Sequence, residues 1–299
     1  MTTTLDKPVK APTFRHVSPA RRIRNNVATA VVWGCFLIAL VPLLWVLFVV
    51  AQKGIDAVAS LDWWTKSQKG VLPDQTDGGV YHAIYGTLVQ SAIAAVIAVP
   101  LGIMAAVYLV EYGRGWLAKT TTFMVDILAG VPSIVAALFV FAFWIGTFGF
   151  PQSAFAVSLA LVLLMLPVVV RSSEEMLKLV PDELREASYA LGIPKWKTIV
   201  RIVVPTAAPG MISGMLLAVA RVMGETAPVL VLVGYSKSIN FDVTNGNMAS
   251  LPLLMYQELA NPEAAGRARV WGAALTLILI IALLYLAAAA VNKLLTRNR

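Results

Sequence analysis

Residues 220–234 read ARVMGETAPVLVLVG, a largely apolar run that carries Arg221 and Glu225 four positions apart. A guanidinium is a planar fork that donates two parallel hydrogen bonds to an oxyanion. A neighbouring carboxylate accepts a hydrogen bond from an anion that still carries a proton and repels one that carries none, so the pair could select as well as attract. A second reading is open on spacing alone. At i and i+4 the two side chains share one helix face, where they can neutralise each other and seal a helix contact. Gly224 and Pro228 flank the pair and loosen the helix there, as in spans that open polar backbone to a cavity. Thr226 and Ser133 could line a path with hydroxyls or simply bond back to the preceding turn. Arg171 could guide an anion or anchor a span end, and Asp126 could face the path or start a helix. No nucleophile, base and orienting group stand together, and two histidines and one cysteine (Cys35) exclude the usual metal spacings and an intramolecular disulfide.

The elements that must position these residues are membrane spans. The chain is 59% hydrophobic and 13% charged, about half the charge of a soluble domain, and reads as all-α and integral to the membrane. Six segments approach the roughly 20 apolar residues a spanning helix needs: 27–51, 83–110, 123–148, 152–170, 206–234 and 270–291. Lys and Arg crowd the tails and alternate loops, while the other loops hold only Lys53, Lys66, Lys69, Lys237, Arg267 and Arg269. Both termini are therefore expected in the cytoplasm. The net charge of +8 belongs to those basic loops and not to a nucleic-acid surface. Residues 1–26 read as a cytoplasmic basic tail that touches anionic lipid, 27–51 as the first span, 52–82 as an outer loop with a Trp63–Trp64 interfacial anchor, and 292–299 as a cytoplasmic tail. Leu251 to Tyr256, in the last outer loop, either lies flat on the membrane or plugs the outer mouth.

The loop before the fifth span has a built shape. Pro181 followed by Asp182 and Glu183 starts a helix, Leu184, Ala187 and Leu191 form an apolar stripe, and Gly192 ends it. Pro194 opens a second short helix, expected to stop before Pro205. A helical hairpin over 181–204 suits docking into a groove on a partner, and equally suits lying on the bilayer.

Here the sequence resembles the permease subunits of bacterial ABC importers. Their cytoplasmic signature, E-A-A-x3-G-x9-I-x-L-P, is matched in every gap by Glu186, Ala187, Ser188, Gly192, Ile202, Val204 and Pro205. Ser188 for alanine and Val204 for leucine are the departures. The resemblance implies the MetI-like ABC permease fold over 83–291, with 181–204 as the coupling hairpin that sits in an ATPase cleft. There is no GxxxxGK[ST] loop, so ATP would bind on a separate ATPase and this chain would hold no cofactor. Three stretches in order narrow the resemblance to phosphate permeases: Gly130-Val131-Pro132-Ser133-Ile134-Val135, Arg221-x-x-Gly224-Glu225-Thr226-Ala227-Pro228, and Ser250-Leu251-Pro252 before Tyr256. Length and loops fit the A-type permease of that family and not the C-type. The partners implied are a homologous PstC-like permease, a PstB-like ATPase dimer and a PstS-like phosphate-binding protein. Permeases for sulfate, molybdate or phosphonate, and a transporter that needs no ATPase, are the rival readings.

Overall fold

The computed structural model describes residues 18–297. The first seventeen residues of the expected basic tail, and the last two of the chain, lie outside them. Among the described residues the structure is helical throughout. The first helix, α1, runs from Pro19 to Val58, so Arg21, Arg22 and Arg24 begin a helix where the sequence suggested a tail. Up to Val49 it forms a compact unit of its own, and Val50 onward belongs to the second unit.

Within that second unit the order is α2 (Leu61–Thr65), α3 (Tyr81–Val107), α4 (Gly115–Gly130), α5 (Ser133–Val140), α6 (Ala154–Lys178), α7 (Asp182–Ala190), α8 (Lys195–Thr198), α9 (Val204–Met223), α10 (Ala227–Leu232), α11 (Leu251–Leu259) and α12 (Ala264–Arg297). Single π-helical stretches extend α3 to Tyr112, α5 to Thr147 and α8 through Ile199–Val203 into α9. Five described helices are long and apolar enough to cross a membrane, and α4 with α5 is a bent pair that makes a sixth where the two count as one span.

That pair corrects the third expected span. Residues 123–148 are not one rod: α4 and α5 meet at 105°. Val131, held extended before Pro132 (φ −70°, ψ 125°), makes the corner. The fourth span is longer than expected. It passes Arg171 and continues to Lys178, because Glu174 lies four residues before Lys178 and pairs with it at 2.7 Å. The last helix starts at Ala264, six residues before the apolar run.

α6 is the axis of the bundle. It packs chiefly on α3 and on α9, and its inward face is a run of Ala, Val, Leu and Met side chains closed to solvent. The contact with α9 is close because Gly210 and Gly214 have no side chains. A Cβ at Gly210 would lie 2.1 Å from Met176 Sδ, and one at Gly214 2.4 Å from Ser172 Oγ. Small residues one turn apart let two membrane helices approach in this way.

The outer loops are built into the bundle. Trp63, expected at the membrane interface, is buried, and its indole N–H donates to Thr276 Oγ1 of α12 at 2.8 Å. Gly272 beneath it leaves room for the ring. Leu251, Leu253 and Leu254 of α11 are closed to solvent, so α11 packs into the helix bundle against α12 and α3.

Candidate functional site

The fifth expected span, 206–234, is broken at the charge pair. Helix α9 ends at Met223, Gly224 and Glu225 close its last turn through bonds to the Arg221 and Val222 carbonyls, and α10 restarts at Ala227. The residue before Pro228 resists the α conformation and Pro228 brings no N–H, so the helix is weakest where the pair stands. Arg221 Nε lies 4.0 Å from Glu225 Oε1, a loose contact. The Arg221 side chain is 56% exposed and that of Glu225 only 19%. The cation is thus presented outward while the carboxylate is mostly enclosed.

Glu225 lines a cavity of about 10 Å³ with Thr87 and Gln90 of α3, Val222 and Met223 of α9, and Ser250 at the start of α11. The Thr87 hydroxyl donates to Ala83 O (2.9 Å) and accepts the Leu251 amide (2.8 Å), and the Ser250 hydroxyl accepts the Leu253 amide (3.3 Å) to cap α11. A Cβ on Gly86 would stand 1.8 Å from Ala249 O, so only glycine lets α3 come this close to the α11 approach. The structure therefore brings Glu225 and Ser250, from two of the three family-like stretches, to one cavity. It adds Gln90 and Thr87, which no motif signalled. Both read as ordinary polar residues of an apolar span.

Thr226 is half-buried and precedes α10 without capping it. Ser133 opens α5, and α5 packs on α10, so the third family-like stretch lies on a neighbouring element. Among the described residues no hydrogen bond or ion pair joins Ser133 or Arg171 to the Arg221–Glu225 pair. Arg171 stands lower. Ser172 faces Gly214, and Arg221 is seven residues further along α9, about 10 Å closer to the outer side at 1.5 Å per residue. Its guanidinium is engaged by Asp126 of α4 and by Glu174 (2.9 Å), which also holds Lys178. An anion at Arg171 competes with two carboxylates; at Arg221 it competes with one, loosely held.

The hairpin carries the second group of candidates. Asp182 and Glu183 open α7, and Gly192 at φ +76° turns the chain in the left-handed conformation, with the Ile193 amide bonded back to Ser188 O. Ser188, the departure from the signature, meets the Thr198 hydroxyl at 2.7 Å, and this buried pair clasps the two arms. Glu186, Ala187 and Gly192 are exposed, as are Leu184, Tyr189, Leu191 and Trp196, so the apolar stripe faces away from the chain. Ile202 and Pro205 are half-buried. The second arm does not stop before Pro205. Lys195 to Met223 is one continuous helix of 29 residues, because the π-helical stretch at Ile199–Val203 shifts the bonding register ahead of a proline that has no N–H to give. Hairpin and charge pair thus sit at two ends of one helix.

The base of α7 is fastened to α3. Arg185 donates to Glu111 Oε1 from Nε (3.0 Å) and Nη2 (2.9 Å), and to the Leu177 and Val180 carbonyls. Both charges are nearly enclosed, at 13% and 5% exposure. Lys195 donates to the Glu111 carbonyl and lies 4.5 Å over the Tyr112 ring.

An exposed cation at a helix break, on a span continuous with the signature hairpin, is an arrangement that fits a membrane permease. The chain belongs to the family of binding-protein-dependent transport system inner membrane components, whose sequence model matches residues 98–298. It is a multi-pass membrane protein of MetI-like fold. It is 69% identical to the phosphate transport system permease protein PstA of Mycobacterium leprae, over 99% of this chain and 97% of that one. It is 68% identical to PstA 1 of Mycobacterium tuberculosis H37Rv over 99% and 96%, and 41% identical to PstA of Yersinia pestis over 88% of each. Its fold is similar to a chain of a bacterial alginate ABC transporter (TM-score 0.64, 15% identity, 90% of this chain and 96% of that one). It is also similar to a chain of the MetNI methionine transporter (TM-score 0.57, 20% identity, 73% and 94%).

Proposed function

We propose that this chain is the permease subunit of an ATP-driven phosphate importer. It supplies half of the translocation pathway, and a homologous PstC-like permease supplies the other half. A PstB-like ATPase dimer receives the hairpin at Glu186, Ala187 and Gly192 and hydrolyses the ATP. A PstS-like protein delivers phosphate to the outer loops. The chain itself performs no covalent chemistry.

The observation that carries this reading is the unbroken helix from Lys195 to Met223, which joins the signature hairpin to Arg221. When the ATPase subunits close, they move the hairpin and the helix carries that motion to the break at Gly224. Arg221 attracts the anion. Glu225 accepts a hydrogen bond from a phosphate O–H and repels sulfate, which has no proton near neutral pH. Thr226 and Ser133 add hydroxyls beside the path, and Arg171 lies further toward the cytoplasm as a second cation.

The test is ATP hydrolysis and uptake by the reconstituted complex with phosphate, sulfate or molybdate. Phosphate should stimulate both most strongly. Glu225→Gln should admit sulfate while phosphate import persists at a reduced rate. Unchanged phosphate uptake with no new sulfate uptake would remove Glu225 from selection, and stimulation by sulfate alone in the parent complex would overturn the phosphate reading.

A further inference from the structure

Gln90 is an unused donor beside Glu225. It is 2% exposed in the middle of α3, and its side-chain Nε2 meets no hydrogen-bond acceptor. A buried amide left unpaired is costly and calls for an explanation. The explanation lies in the cavity it lines. There the hydroxyls of Thr87 and Ser250 are committed to backbone groups, whereas the Gln90 amide is a free donor and the Glu225 carboxylate faces the same space. A gap of about 10 Å³ is about the size of one water.

Arg221 and Glu225 pose a problem for any anion that arrives. Arg221 reaches Glu225 only through Nε, at 4.0 Å, and its exposed guanidinium is free to turn toward an anion. Once Arg221 turns to the anion, Glu225 is left as an enclosed charge without its cation, which opposes binding. We infer that Gln90 is a positioning residue of the anion pathway: its amide receives the Glu225 carboxylate when Arg221 leaves it for the anion. Glu225 then has a partner in both states, Gln90 gains one only in the loaded state, and α3 is drawn to the helix break only when the site is loaded. This rests on the assignment of Arg221 as the anion-binding cation.

The test is a double-mutant cycle on the assembled transporter in proteoliposomes, with inorganic phosphate as the probe. Gln90→Met keeps the size and removes the donor. It should raise KM for phosphate about tenfold, the worth of one hydrogen bond to a charged group, and change kcat less. In the Glu225→Gln background the same replacement should change KM less than about twofold, because no carboxylate remains to be received. A KM within about twofold of the parent for Gln90→Met, or an equal loss in both backgrounds, overturns the inference. If Gln90→Met does not assemble, Gln90→Asn, whose amide falls one methylene short, takes its place in the cycle. If the parent complex imports no phosphate, it is the phosphate assignment that fails. The cycle is then read, with the same criteria, on the oxyanion that stimulates ATP hydrolysis.

Discussion

Replacing Arg185 by alanine should release the hairpin of α7 and α8 from α3. The magnitude follows from what the guanidinium holds. It neutralises Glu111, whose side chain is 5% exposed, and it supplies donors to the Leu177 and Val180 carbonyls at 3.1 and 2.6 Å. Removing one partner of an enclosed ion pair costs about 3–5 kcal/mol, because the remaining charge stays buried and unpaired. Glu111→Gln should cost less, about 1–2 kcal/mol, since the amide oxygen still accepts from Arg185 and the guanidinium keeps Asp182, at 3.0 Å, as its counter-charge. Hydrogen–deuterium exchange on the purified complex reads this directly. At 3 kcal/mol the amides of α7 should exchange about a hundredfold faster in Arg185→Ala, while those of α6 above Arg171 change little. Uptake should fall further than ATP hydrolysis, since the ATPase motion would reach α9 but not α3. If α7 exchanges at the parent rate and uptake stays in proportion to hydrolysis, the pair neither fastens the hairpin nor transmits its motion.

Two further outcomes are expected. Gly214→Val places a side chain where a Cβ alone would lie 2.4 Å from Ser172 Oγ, so α9 must move away from α6. Overpacking of this kind costs about 1–3 kcal/mol and should appear as a lowered unfolding temperature with reduced uptake, whereas Ser213→Val, one position away on the exposed face of α9, should be milder. Asp242, in the last outer loop, accepts from the Thr244 hydroxyl (2.7 Å) and from the Thr244 and Asn245 amides, and these bonds hold its carboxyl below the usual carboxylate range. A depressed folded value means the loop's stabilisation is present above the unfolded value of about 3.9 and is lost as pH falls through the folded one. Exchange of the Thr244 amide, corrected for the intrinsic rate, should therefore rise on acidification in the parent and stay flat in Asp242→Asn.

Much of this was legible in the sequence because it is local. Length and hydropathy place the spans, since a helix is the way an isolated segment satisfies its backbone in lipid. The turn at Gly192 was equally legible, since a left-handed residue after an apolar stripe is a matter of a few neighbouring positions. The charge pair was visible too, because two ionisable residues in an apolar run stand out by cost alone. Proline was a poorer guide. Pro42, Pro100, Pro167 and Pro209 all lie inside continuous helices, while Pro132 turns the chain by 105°. Each removes the same N–H, and whether the helix survives depends on what packs around it.

What the sequence determined by itself is the identity of the charged residues and the rod-like segments that carry them. Tertiary structure alone decided which distant residues meet: Trp63 with Thr276, Arg185 with Glu111, and Gln90 with Glu225 at one cavity. These partners are separated by 74 to 213 positions in the first two cases. A periodicity of 3.6 residues fixes which face of a helix is polar but not which neighbour that face will find. The neighbour is set by close packing, here by the glycines that let α9 approach α6 and α3 approach the start of α11.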